Sequence, residues 1–150
     1  MKKWEAAAGK RNYEFKTDID RFVINTEERL LSVVQTALLD TINESQTITK
    51  EGGRMRFKTG FLRRSGAAAL NIIPSGESRG DKTKTYTWDG DSVVKVIKQM
   101  KIGDVFYFGW TAHYARYREA FDGFLEGAVQ NWQMNVNKAV NYYKNKDAKK

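Results

Sequence analysis

Two stretches of the chain carry apolar residues at the spacing of an amphipathic helix. In residues 18–43 apolar or small side chains recur at steps of three and four positions, and residues 124–143 contain a second such series. This spacing places the apolar residues on one helical face, which must be buried against other elements. The pattern predicts two helices with these apolar faces: Ile19, Phe22, Leu30, Val33 and Ala37 in the first, and Leu125, Val129, Trp132, Val136, Ala139 and Tyr143 in the second.

The segment between the two helices contains candidate strands. Residues 105–111 are apolar at successive positions, which favours a central strand covered on both faces. Residues 83–88 alternate threonines with larger side chains, a pattern typical of a strand, and residues 67–73 form a weaker candidate. Residues 92–100 fit both a short helix and a strand, so the sequence leaves that choice open.

The order of these elements predicts an α+β fold. A long N-terminal helix and a C-terminal helix are expected to pack on one face of a small antiparallel sheet. The 150 residues suit one domain. Residues 1–17 and 144–150 are polar or alanine-rich, and we expect them to form flexible arms.

A basic segment follows the first helix. Residues 47–58 contain adjacent glycines and dense charge, which predicts the least ordered internal loop. Six Lys or Arg residues in 50–64 face only Glu51, so these 15 residues carry five net positive charges, within a chain of net charge +8. Aromatic residues among such charges are typical of a phosphate or single-strand contact, and a loop that orders on an acidic protein partner is the open alternative. The candidate contact residues are Arg54, Arg56, Lys58, Arg63 and Arg64.

The sequence offers little for catalysis. His113 is the only histidine, and no nucleophile or orienting carboxylate is placed beside it, so a surface or structural role is favoured. The absence of cysteine excludes disulfides and thiolate zinc sites. No clustered ligands predict another metal or a cofactor. We therefore expect a protein that is not an enzyme.

No segment predicts membrane insertion or export. The chain has no apolar run near the roughly 20 residues of a membrane helix. Its first residues lack the apolar run of a signal peptide. The expectation is a protein made and kept in the cytosol.

Three segments resemble one family of phage proteins. Residues 59–65, Thr-Gly-Phe-Leu-Arg-Arg-Ser, are similar to the T-G-x-L-R-x-S signature of the minor tail component or neck (tail-completion) family of long-tailed bacteriophages. Residues 108–119 resemble its second signature, a strand ending in Gly-Trp followed by Tyr-Ala and a glutamate, and residues 124–128 resemble the start of its closing helix. The matching positions are Thr59, Gly60, Leu62, Ser65, Gly109, Trp110, Tyr114, Ala115, Glu119, Phe124 and Leu125.

The resemblance implies a structural virion protein without catalytic activity. Such a protein assembles as a ring, with a hexamer as the expected form, at the junction of head and tail. Its partners are copies of itself and other neck or tail proteins, with DNA contact that ignores sequence. It is assembled in the host cytoplasm and then belongs to the virion. The alternative reading of the same basic chain is a small nucleic-acid-binding module.

The first signature also has a physical interpretation. Gly60 is expected to permit a turn, and Leu62 to anchor that turn in the core. Arg63 or Arg64 is expected to pair with a carboxylate such as Glu119.

Overall fold

Helix α1, Lys3–Gln46, is the longest element of the chain. The computed structural model describes the backbone of residues 3–148 and the side chains of residues 25–147. The predicted helix of 18–43 is therefore present but begins earlier, at Lys3. Two of the predicted apolar residues, Val33 and Ala37, are buried, and so is Ile42 farther along the helix. Leu30 is 55% exposed. The side chains predicted for the first turns, Ile19 and Phe22, lie outside the described residues.

A two-stranded antiparallel sheet lies against this helix. Strand β1, Gly66–Leu70, pairs with strand β2, Phe106–Trp110, in a register that opposes Gly66 to Trp110 and Leu70 to Phe106. Helix α3, Asp91–Gln99, occupies the segment for which helix and strand were both open. A short helix α2, Phe61–Arg64, precedes β1.

Two expectations about the sheet are wrong. Residues 83–88 form no strand, because their backbone approaches the turn before α2 instead of a strand: the Tyr86 amide donates to the Thr59 carbonyl at 2.8 Å. Strand β2 is consequently not central, since within residues 3–148 its only ladder partner is β1. An isolated parallel bridge between Ser78 and Ala112 lies just beyond its end.

Helices α1 and α3 share an apolar cluster with the sheet. Ile42 of α1 packs with Val93 and Ile97 of α3, and the sheet contributes Ala68, Phe106 and Phe108 to the same cluster. Helix α6, Trp132–Ala148, packs along α1, with the Tyr143 hydroxyl 2.9 Å from Thr36 Oγ1. The α+β class, with the N-terminal and C-terminal helices packed together, is confirmed. The predicted arms are helical over residues 3–17 and 144–148.

The closing helix differs from its prediction in continuity and in orientation. It consists of α5, Phe124–Gln130, and α6, separated at Asn131, whose side-chain amide donates to Glu44 of α1. In α5 the buried residues are Phe124, Gly127 and Ala128, so the predicted face is wrong there. Leu125 and Val129 are 38% and 54% exposed. In α6 the predicted Ala139 is buried. The break lets the two helices present different faces, which a single period cannot describe.

The segment 47–58 is not a loosely organised loop. A 3₁₀ turn, Thr49–Glu51, is closed by a bridge between Ile48 and Met55, with the Thr49 amide donating to the Met55 carbonyl at 3.0 Å. Met55 is fully buried. A Cβ at Gly53 would lie 1.9 Å from the Thr47 carbonyl oxygen, so glycine is needed for this fold of the backbone. The burial of one apolar side chain orders a segment that its charge alone predicts to be mobile.

Leu62→Ala should lower the free energy of unfolding by about 2–5 kcal/mol, because Leu62 is 4% exposed and its truncation leaves a cavity. Chemical denaturation measures this change. Leu30→Ala is the matched control, since Leu30 is exposed and its truncation should cost no more than about 0.5 kcal/mol. Equal losses for the two variants would remove Leu62 from the core.

Candidate functional site

The three segments that resemble the phage family meet in one cluster, called here the motif cluster. Its buried members are Met55, Leu62, Ala112 and Phe124, and the half-buried residues packed against it are Phe61, Trp110, Tyr114 and Ala115. The Trp110 and Phe124 rings meet edge to face at 4.8 Å between centroids. Residues separated by more than sixty positions thus form one packing unit.

The Gly60 turn connects the motif cluster to residues 80–86. Gly60 has φ +83, and a Cβ there would lie 2.3 Å from the Tyr86 carbonyl oxygen. Both observations require glycine, which confirms the turn predicted for this position. Around it, Thr59 Oγ1 accepts from the Phe61 amide at 3.3 Å, and Ser65 Oγ donates to the Leu62 carbonyl at 2.7 Å.

Glu119 has a different partner from the one predicted. Its carboxylate accepts hydrogen bonds from the Leu125 amide at 2.8 Å and from the Glu126 amide at 2.9 Å, in the first turn of α5. Gly123, with φ +62, reverses the chain after helix α4, Ala115–Asp122, and so brings that turn to Glu119. Glu119 as the predicted partner of Arg63 or Arg64 is wrong, because its carboxylate satisfies backbone donors at a helix start.

Arg63 pairs with a different carboxylate, that of Glu51, and both Arg63 and Arg64 lie on aromatic rings. The Arg63 guanidinium lies 5.6 Å from the Trp88 ring centroid and pairs with Glu51 at 3.7 Å. The Arg64 guanidinium lies 5.8 Å from the Tyr86 ring centroid. Both cations therefore stabilise the packing of residues 83–88 against α2.

Gln46 joins three elements and was not singled out from the sequence. It is fully buried at the end of α1. Its Nε2 donates to the Arg63 carbonyl at 2.9 Å, and its Oε1 accepts from Trp110 Nε1 at 3.0 Å. From sequence alone a glutamine at a helix end is expected to be exposed to solvent, so no local pattern predicts this role.

Beside the motif cluster the chain forms a cleft of about 310 Å³, called here the basic cleft. Its walls come from residues 56–63, 80–82 and 113–118, and they include the aromatic side chains of Phe57, Phe61 and Tyr114. Burial raises the pKa of the Tyr114 phenol, and a hydrogen bond with the Leu62 backbone acts in the opposite direction.

Cations at this cleft differ in whether they have a partner. Arg118 pairs with Asp122, with 3.1 Å between Nε and Oδ2. Arg56, Lys58 and Lys82 make no ion pair with any of the side chains described in residues 25–147. The cleft therefore presents three positive side chains that have no ion-pair partner among the described residues.

The structure thus separates the five predicted contact residues. Arg56, Lys58 and Arg63 line the basic cleft, while Arg64 lies outside its lining. Arg54 packs against α5, where a Cβ at Gly127 would meet its Nη1 at 2.5 Å. Lys82 was missed because its sequence context suggests only a polar turn.

His113 lies exposed at the same cleft, as a surface histidine. Its ring meets Tyr114 edge to face at 5.1 Å. Over the described side chains, no group of three or more His, Cys, Asp or Glu residues is arranged to hold a metal ion.

Among the described helices, none combines the length and apolar character that a membrane crossing requires. Comparisons of the chain with protein-family models, with curated proteins and with solved structures find no match.

Gly60→Ala should destabilise the protein by more than the roughly 1–3 kcal/mol of a left-handed non-glycine residue, because it adds a clash with Tyr86. Gly52→Ala is the matched control: Gly52 has φ +89, but a Cβ there meets nothing within 4 Å. Thermal and urea unfolding of both variants separate backbone strain from the clash. Equal destabilisation would mean that the Gly60 turn does not need its close approach to Tyr86.

Glu119→Ala should cost about 0.5–2 kcal/mol of stability, as for the loss of a helix cap, because two amides of α5 lose their acceptor. A double-mutant cycle with Arg64→Gln tests the rejected pairing. The two changes should add, since the structure gives Arg64 an aromatic partner. A coupling above about 0.5 kcal/mol would restore an ion pair between Glu119 and Arg64.

Proposed function

We propose that this chain is a structural protein of the neck or tail-completion type in a long-tailed phage. It acts by assembling into a ring at the head–tail junction, with a hexamer as the expected form. In that role the chain performs no catalytic step, and its work lies in contacts with its own copies and with neighbouring virion proteins.

The observation that carries the proposal is the convergence of the resembling segments. Residues from the Thr-Gly-x-Leu-Arg-x-Ser piece, the Gly-Trp strand and the Phe-Leu helix start contribute to one motif cluster. Gly60 is required by its turn, Leu62 is buried and Glu119 caps α5. Similarities scattered by chance along a chain have no reason to pack together, so their joint packing supports a common origin for the three pieces.

An exposed apolar patch at the open end of the sheet supports assembly. Ile72 and Ile73 follow β1 and are 69% and 67% exposed, and Val105 precedes β2 and is 51% exposed. Asn71 links the end of β1 to the start of β2. Its backbone N–H donates to the Val105 carbonyl at 2.8 Å, and its side-chain Oδ1 accepts from the Val105 backbone N–H at 2.9 Å. Exposed apolar side chains that lie close together at a surface are typical of protein–protein contact.

The basic segment contributes charge to the assembly. In a ring, Arg56 and Lys58 of successive copies would lie at an interface or along the channel. A closed ring repeats these positive charges in every subunit, so the assembly gathers more positive charge than one subunit carries. Arg54 is exposed as well, but its guanidinium lies against Gly127 of α5.

Mass photometry of the purified chain tests the proposal. A single closed species near six subunit masses, unchanged at high salt, is expected. A chain that stays monomeric at every concentration and gains mass only with nucleic acid would instead support the alternative, a small nucleic-acid-binding module.

The double variant Ile72→Asp/Ile73→Asp should shift the ring to monomers. Both side chains are exposed, so the fold should persist, and the melting temperature reports whether it does. Leu30→Asp/Met134→Asp is the charge-matched control, because these residues are 55% and 58% exposed on α1 and α6. A ring that survives the first variant but not the control would place the interface on the helices and contradict the role of the sheet end.

A further inference from the structure

The basic cleft has the features of a ligand site that ring assembly does not explain. Arg56, Lys58 and Lys82 reach it from two separate segments and have no counter-ion among the described side chains. Like charges gathered without a partner repel each other, which costs stability unless an anion joins them.

The carboxylate that lines this cleft is already engaged. Asp81 accepts from the Thr83 amide at 2.9 Å and from Thr83 Oγ1 at 2.6 Å. These hydrogen bonds lower the pKa of the Asp81 carboxyl. Asp81 therefore stays ionised in its own turn and forms no ion pair with Lys58 or Lys82, so its single negative charge offsets the three cations only in part.

The wall that carries Lys82 is fixed to the rest of the site. Gly80 lies so close to Phe61 that a Cβ would fall 2.6 Å from its ring. The Asp81 amide donates to the Tyr86 hydroxyl at 2.9 Å, and the Tyr86 ring packs edge to face on Phe61. The two walls thus share the same aromatic support, and contacts within the chain set the shape of the cleft.

The shape and lining select among polyanions. A volume of about 310 Å³ suits a small planar group with its phosphate rather than a whole duplex. Free Arg and Lys side chains bind phosphate oxygens, and aromatic side chains stack with bases. A run of acidic residues alone, such as oligoglutamate, would satisfy the cations but has no planar group to pack on Phe57 and Tyr114.

We propose that the basic cleft binds one nucleotide unit of a single-stranded nucleic acid. The phosphate lies against Arg56, Lys58 and Lys82, and the base packs against the aromatic wall. This inference goes beyond the proposed function, because it concerns a ligand site within one subunit. In a ring it requires that Arg56 and Lys58 face the channel rather than an interface between copies.

Fluorescence anisotropy with a short labelled oligothymidylate tests the phosphate contacts. Lys58→Ala/Lys82→Ala should weaken binding about tenfold and reduce the slope of log affinity against log salt by about 1.4, or 0.7 for each lost contact. Lys95→Ala/Lys98→Ala is the control, with the same net charge and two exposed lysines of α3 that lie outside the cleft. If both variants lose affinity equally, the binding follows overall charge and the cleft is not the site.

A second pair of variants tests the base contact. Phe57→Leu should weaken binding at least about fivefold, the lower end for the loss of one stacked base. Tyr142→Leu is the control, since Tyr142 is 58% exposed on α6 and does not line the cleft. An abasic strand with the same phosphates should bind the wild-type protein as weakly as oligothymidylate binds Phe57→Leu. Equal affinity for the abasic and normal strands would overturn the base contact.

Competition distinguishes the remaining ligands. Oligoglutamate of matched charge and a duplex of the same length should displace the strand less well than unlabelled oligothymidylate. Stronger displacement by oligoglutamate would assign the cleft to an acidic protein segment and overturn the proposal. A ring that binds no strand would refute this inference alone, whereas a monomer that binds one would refute only the proposed function.

Discussion

The packing of this protein depends on the two hydrogen bonds of the buried Gln46 amide. That side chain ends α1 and contacts the backbone of α2 and the indole of β2 at once. A buried amide must satisfy its donor and its acceptor, so α2 and Trp110 are placed relative to α1. Gly66 fits the same arrangement, because a Cβ there would lie 2.5 Å from Gln46 Nε2. The start of β1 is thereby brought under the end of the long helix.

Once these elements are in place, the motif cluster and the basic cleft follow. Trp110 positions Phe124, and the Gly60 turn places the Tyr86 segment beside Phe61. The cleft lies where that turn, residues 80–82 and α4 meet. The positions of the side chains that line the cleft therefore depend on contacts that also form the core. No additional element is needed to form the cleft.

Periodicity and glycine chemistry made much of the fold predictable from sequence. The apolar spacing indicated α1 and α6, the apolar run indicated β2, and Gly60 indicated its turn. The strand expected at 83–88 does not form. The two aromatic residues of its alternating pattern pack in different places, Tyr86 on Phe61 and Trp88 on the apolar cluster of α1 and α3. The predicted buried face of α5 and the predicted partner of Glu119 were wrong because both depend on the chain reversal at Gly123. Such tertiary consequences have no local signature.

The basic segment shows why a count of charges is a poor guide to a site. Residues 54–58 alternate, with Met55 buried and Phe57 half-buried between the exposed Arg54, Arg56 and Lys58. This is the two-residue period of an extended segment with one face inward. The dense charge makes that period hard to recognise in the sequence. The segment was therefore predicted to be mobile, although Met55 is buried in the core. Packing then decides which cations stay free: Arg54 lies on Gly127 and Arg63 on Trp88, while Arg56 and Lys58 remain available. The charge available to a ligand or a neighbour is therefore smaller than the sequence count, and it is concentrated at the cleft.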